Sequence, residues 1–286
     1  MKRDEFFKNF SINTIWIWLL VFAFIPTLLV IATSLLEPGD AELVRLQLTL
    51  DNYISLFDPI FIRVFLRSFF LATVCTLFCL CLSFPFAYLL TRVQERYRGI
   101  LLLLVIIPLW TSSLIRSYAI VAILKTHGLL NSLFLALGLI EQPLQLLYTN
   151  TAVLVGLVYS LIPLMVLPLY ANIEKLDRRL IDAAKDLGAN KYHIFFRVIL
   201  PLTLPGILAG SMLVFLPAMT IFYIPDLLGG AKTLLLGNMI QNQFLTARNW
   251  PMGATLSVIL IFLMSLMLLI YWRVEKREPS EGRPLR

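Results

Sequence analysis

The chain has 286 residues, 59% of them hydrophobic and 14% charged, with a mean hydropathy of +0.84 and a net charge of +7. A water-soluble core of this length cannot hide that much apolar surface, so the composition excludes an ordinary soluble enzyme and makes lipid the solvent. The excess of positive charge is what the inner loops of a membrane protein carry, and no nucleic-acid partner is expected.

In chain order, Lys2, Arg3 and Lys8 precede an uncharged run from Thr14 to Leu36. That run is longer than the ~7–15 apolar residues of a signal peptide, so it reads as an uncleaved first span. Further uncharged runs place spans at about 68–91, 100–124, 148–172, 199–224 and 250–272, near the ~20 residues a helix needs to cross a bilayer. The third is interrupted by Arg116, and a helix over 100–124 joins the apolar residues on either side of it. The expected class is therefore an all-α membrane protein with six transmembrane helices. Residues 1–13 and 274–286 form cytoplasmic ends around a membrane domain of 14–273.

With the N-terminus inside, 17 of the 24 Lys and Arg residues fall on the cytoplasmic side, which sets both termini there. Cys75, Cys79 and Cys81 share one apolar run with no zinc spacing and read as small helix residues, so no metal site or disulfide is expected. Pro26, Pro85, Pro108, Pro163, Pro168, Pro205, Pro217 and Pro225 lie in or near the spans. Singly they match the ordinary enrichment of proline in membrane helices, and together they favour broken helices around a cavity.

Between the fourth and fifth spans, residues 177–197 are polar and helix-compatible. Asp177 is a plausible cap, Ala183, Ala184 and Lys185 favour helix, and Gly188 ends or bends it. Ile194, Phe195, Phe196 and Val198 then form an apolar edge, and Pro201 suits a first helical turn. From physics alone two readings stand: a solvated amphipathic loop, or a docking surface for a soluble partner.

The spacing in this segment resembles a known signature. Asp182-Ala183-Ala184, three residues, Gly188, nine residues and Val198-Ile199-Leu200-Pro201 are similar to the cytoplasmic-loop motif of importer-type ABC permeases, with Asp182 for Glu and Val198 for Ile. Leu50-Asp51-Asn52-Tyr53, Pro108 to Arg116, Ile173 to Asp177 and Phe222 to Lys232 extend the resemblance to B-type permeases of spermidine/putrescine importers. The resemblance implies a type I importer permease fold with a cytoplasmic coupling helix in a bacterial inner membrane. It gives Asp182, Ala183, Ala184, Asp186 and Gly188 the role of coupling to a separate ATPase. It also implies a second, homologous permease, two copies of the ATP-binding subunit and an extracytoplasmic polyamine-binding protein. ATP and Mg would be held by the ATPase, with no cofactor in this chain. The same class with another cargo (iron, a phosphonate or an opine) is an alternative, and an autonomous channel or secondary transporter a remoter one.

The nearest phosphate-loop match is Gly229-Gly230-Ala231-Lys232-Thr233, where Ala231 stands in place of a required Gly. His127 and His193 fall in separate loops, so no catalytic residue is expected. A polyamine route should offer carboxylates and aromatic faces. Asp226 directly after Pro225, with Phe222 and Tyr223, is the candidate outer part of that route, the competing reading being a helix end in water. Trp110, Thr111 and Ser112 after Pro108 suit either a constriction or interfacial anchoring. Tyr159 is a further lining candidate. Arg116 sits awkwardly in a cation route and should meet an acid of this chain or of a partner, or stabilise the outer mouth.

Overall fold

A computed structural model describes residues 2–39, 43–230 and 233–275, with the side chains of 2–9, 178 and 274–275 left aside. Ala231, Lys232 and the expected tail beyond 275 lie outside the described residues. The chain falls into two units, 1–63 with 239–263, and 64–238 with 264–286.

In the first unit, α1 (Lys2–Leu19) and α2 (Ile25–Ser34) are joined by a π-helical turn at Leu20–Phe24. A short antiparallel pair, β1 (Leu36–Glu37) and β2 (Arg45–Leu48), leads to α3 (Asp51–Ser55). The Leu50-Asp51-Asn52-Tyr53 stretch has a clear structural task. Asn52 is buried and its Nδ2 donates to the carbonyls of Ser34 at 3.2 Å and Leu36 at 2.8 Å. The Tyr53 hydroxyl meets Ser34 Oγ at 2.7 Å, and Thr255 Oγ1 donates to the Ser34 carbonyl at 3.2 Å. The end of α2 thus has its free carbonyls satisfied by side chains, as a helix end out of reach of water requires.

The second unit takes in most of α4 (Pro59–Leu90), then α5 (Glu95–Trp110), α6 (Ser113–Leu124), α7 (Leu129–Ala136) and α8 (Asn150–Glu174). There follow α9 (Arg178–Asp186), α10 (Lys191–Ile194), a π turn at Phe195–Ile199, α11 (Leu200–Leu202) and α12 (Leu204–Thr220). A π turn at Pro225–Gly229 precedes α13 (Leu236–Gln241), within which the chain returns to the first unit for a π turn at Asn242–Thr246 and the part of α14 (Trp250–Glu275) up to residue 263. The core of this unit is α8 against α12. An added Cβ at Gly206 would lie 2.6 Å from Asn172 Cβ, and one at Gly210 2.6 Å from Met165 Sδ, so glycine lets the two helices close up. Tight contact of this kind is what holds helices together where lipid competes for apolar surface.

Among the described residues five helices are long and apolar enough to cross a membrane, at 10–34, 59–90, 113–136, 150–174 and 250–273, and the pair 191–202 and 204–220, bent by 66°, makes a sixth if it is one broken span. Pro205 has no N–H for the carbonyl of Pro201, and the helix bends there. Two departures from the sequence reading follow from such breaks. The single helix expected over 100–124 is two helices, parted at Thr111 and Ser112, where the backbone is extended. Thr111 closes α5 by donating both its N–H (3.3 Å) and its hydroxyl (2.8 Å) to the Pro108 carbonyl. The fifth span, expected to reach 224, stops at Thr220 and turns into an extended link.

Asn52→Ala should destabilise the first unit by about 1–3 kcal/mol, because it removes the side-chain donor to the Leu36 carbonyl and leaves Thr255 alone on that of Ser34. The check is the thermal unfolding midpoint of the purified protein in detergent, which should fall clearly below wild type, with Tyr53→Phe falling less.

Candidate functional site

Two regions of the second unit carry the expected functional residues. The first is the polar segment between α8 and α12. Asp177 caps α9, its Oδ1 accepting from the Arg179 N–H at 2.9 Å. At the other end Gly188 adopts φ +78°, its N–H donates to the Lys185 carbonyl at 2.8 Å, and the Ala189 N–H donates to the Ala184 carbonyl at 3.0 Å. These two bonds form a Schellman ending, which needs a left-handed residue where Gly188 stands. Asn190 then caps α10, accepting from the His193 N–H at 2.9 Å. Segment 177–197 is therefore two capped helices about a glycine corner.

The exposed face of this corner is mixed. Asp182 pairs with Lys185 at 2.7 Å in the open, and Ala183 and Asp186 are exposed while Ala184 is half-buried. Leu187 is 89% exposed and Tyr192 77% exposed, an apolar pair outside the bundle that sequence reasoning did not single out. On the inner side Ile194 is buried and Phe195 packs edge-on against Phe84 of α4 at 5.5 Å.

Behind α9 lies a cavity of about 530 Å3 that includes Arg98, Glu174, Asp182 and Lys185 in its walls. Arg98 bridges to Glu174 at 2.8 Å, and the Tyr170 hydroxyl donates to the same carboxylate oxygen at 2.6 Å. Arg98 Nη2 also reaches the carbonyls of Thr91 and Val93, each at 3.3 Å. The loop between α4 and α5 is thereby tied to the end of α8 next to the polar segment. Sequence reading missed this cluster, whose members stand 76 residues apart.

The second region follows α12. The Phe222 and Tyr223 rings meet edge-on at 5.9 Å, and the Asp226 N–H donates to the Phe222 carbonyl at 3.2 Å. Asn238, 3% exposed, braces this turn: its Nδ2 donates to the Phe222 carbonyl at 2.9 Å and to Asp226 Oδ1 at 2.5 Å. Partial burial pushes the Asp226 carboxyl above the ordinary carboxylate range, and the Asn238 bond acts in the opposite sense. Leu228 and Ile224 seat on Gly156 of α8, where an added Cβ would lie 2.2 Å from Leu228 Cδ1. Gly237 lies so close to the Thr220 carbonyl oxygen that a Cβ would sit 2.1 Å from it. Asn238, Gly237 and Gly156 were not legible in the sequence, since no local pattern distinguishes them from other small or polar residues in an apolar chain.

The structure groups Phe222, Tyr223 and Asp226. Trp110, 74% exposed, flanks the α5–α6 break with exposed Thr111 and Ser112, and Tyr159 is exposed on α8. No hydrogen bond or ring contact joins Trp110 or Tyr159 to the Asp226 turn among the described residues. Arg116 Nε and Nη1 are buried without a hydrogen-bond partner among the described residues. Thr233 of the glycine-rich stretch is buried, and its hydroxyl donates to Asn150 Oδ1 at 3.3 Å, so it faces protein and not an open phosphate cradle.

Residues 80–278 match the family described as binding-protein-dependent transport system inner membrane component. The chain is 51% identical over 276 residues to the spermidine/putrescine transport system permease protein PotB of Salmonella typhimurium (strain LT2), covering 96% of each chain. The protein of the same name from Escherichia coli (strain K12) is 51% identical over 265 residues, covering 93% of this chain and 96% of that one. Among solved structures, a bacterial ABC transporter involved in the import of the acidic polysaccharide alginate aligns over 98% of both chains at TM-score 0.74 and 18% identity. The chain belongs to the inner-membrane permease components of binding-protein-dependent transport systems.

Gly237→Ala should destabilise the protein by about 1–3 kcal/mol or more through overpacking against fixed backbone. Gly99→Ala, where a Cβ meets nothing within 4 Å, is the control. Thermal unfolding in detergent should separate the two variants, with Gly99→Ala near wild type.

Proposed function

We propose that this chain is the polyamine-translocating permease of an ATP-driven ABC importer, moving spermidine and putrescine into the cell by alternating access. The observation that carries the cargo is the 51% identity to spermidine/putrescine permeases over nearly the whole of both chains. The fold alone does not choose a cargo, because the alginate importer with the same architecture takes an acidic polysaccharide.

In this reading the chain hydrolyses nothing. ATP and Mg sit on two copies of a separate ATPase subunit, a second permease completes the pathway, and an extracytoplasmic binding protein delivers the solute. Both termini and the 177–197 segment face the cytoplasm, in keeping with the clustering of Lys and Arg there. The corner at Gly188, with exposed Ala183, Leu187 and Tyr192, suits insertion into a cleft of the ATPase, and Asp182, Ala184 and Asp186 belong to the same helix. Its motion would reach α8 through the short 175–177 link and α12 through the continuous turn at 195–202. Asp226, held by Asn238 beside two aromatic rings, offers an ammonium group a carboxylate and π faces together. Trp110, Thr111, Ser112 and Tyr159 serve as further lining residues. The two bare nitrogens of Arg116 suit a carboxylate of the sister permease.

Labelled spermidine and putrescine uptake, in a strain lacking its own systems and supplied with all four components, tests the cargo. Accumulation is expected, and no accumulation with all components present in the membrane rejects polyamines. Asp226→Asn should lower uptake at least several-fold with unchanged membrane content.

Gly188 offers a graded test of coupling. A Cβ there meets nothing within 4 Å, so the penalty is conformational, about 1–2 kcal/mol for a left-handed non-glycine residue. Gly188→Val should abolish most uptake while the protein stays inserted, and Gly188→Asn, which tolerates this conformation, should retain more. Equal uptake by wild type and Gly188→Val would remove the corner from the coupling mechanism.

A further inference from the structure

A groove of about 860 Å3 runs between the last turns of α4 and the segment from α9 to α12. Its size falls within the ~300–1,000 Å3 of ordinary ligand sites. The lining is apolar: Cys81, Pro85 and Ile199 flank the Phe84–Phe195 edge contact, and Phe196, 60% exposed, forms an outer wall. Phe195 and Phe196 are set at right angles, 5.0 Å apart, by the π turn at Phe195–Ile199.

The rim is basic. Arg92 stands two residues beyond the end of α4, with its guanidinium over the Tyr88 ring at 4.6 Å and a hydrogen bond to the Tyr88 hydroxyl. Lys191 opens α10, and Lys185 is paired with Asp182. Glu174, in the adjoining cavity, is already matched by Arg98. Among the described residues, no carboxylate pairs with Arg92 or Lys191.

From this juxtaposition we infer that the groove binds an anionic phospholipid, one acyl chain lying along Phe84, Phe195 and Phe196 and the phosphate between Arg92 and Lys191. The inference rests on α4 spanning the bilayer and is independent of the cargo. The place where a span ends and basic residues begin is where the headgroups lie, and basic pockets between membrane helices hold anionic headgroups there. A polycation is repelled by the same rim, and the apolar floor gives water no partners. A lipid seated there would touch α4 and the corner-bearing segment at once.

The test is native mass spectrometry on the assembled transporter, exchanged into equal parts of phosphatidylglycerol and phosphatidylcholine. Wild type should retain phosphatidylglycerol in preference. Arg92→Gln with Lys191→Gln should lower that retention by roughly 30-fold, on the basis of about fivefold per basic residue near the surface, and leave phosphatidylcholine unchanged. Arg92→Lys with Lys191→Arg should keep it, which separates charge from folding. Phe196→Asp should reduce both lipids. An unchanged preference in the double glutamine variant would overturn the inference, as would wild-type transporter with no retained lipid or a crosslink from Phe196→Cys to another subunit.

Discussion

Between α8 and α12 the chain gives up side chains for contact. Gly206 and Gly210 bring the backbone of α12 against Asn172, Pro168 and Met165, and Gly156 brings the 224–228 turn onto α8. In lipid there is no gain from merely hiding apolar surface, so close van der Waals contact and satisfied polar groups must hold helices together. This one packed pair fixes the rest of its unit. The polar segment 177–197 hangs from the end of α8 and the start of the bent α11–α12 pair. The Asp226 turn rests on the opposite stretch of the same two helices.

That arrangement gives the two candidate regions a common support. Where the C-terminal end of α8 carries Glu174, bound by Arg98 and Tyr170, its N-terminal half carries Gly156, seated under Leu228. The polar segment and the Asp226 turn therefore share α8 as their support. At each of the breaks at Thr203, at 111–112 and at 221–222, a threonine or asparagine side chain adds a second hydrogen bond to a carbonyl that already accepts a backbone N–H. Thr203 Oγ1 donates to Ile199 at 2.9 Å, Thr111 Oγ1 to Pro108 at 2.8 Å, and Asn238 to Phe222 at 2.9 Å. Broken helices in a membrane persist only on such terms.

The charge distribution follows a related economy. Three cationic side chains near the polar segment are paired or stacked: Arg98 with Glu174, Lys185 with Asp182, Arg92 over Tyr88. Arg116 stands apart, with two buried nitrogens lacking partners among the described residues.

Much of the plan was legible in the sequence because the signals are local. Uncharged runs show which segments are apolar enough for lipid, and the cap at Asp177, the helix formers at 183–185 and Gly188 mark a helix, a glycine corner and a second helix. Asp177 and Gly188 do what their chemistry at those positions suggests. The position of the breaks was not legible, since Pro85, Pro163 and Pro168 sit inside unbroken helices while 111–112 and 221–222 open. The pairings of Asn238 with Asp226, Arg98 with Glu174 and Gly156 with Leu228 were decided by tertiary structure alone. Each joins residues of different elements, so its energy exists only once those elements have met.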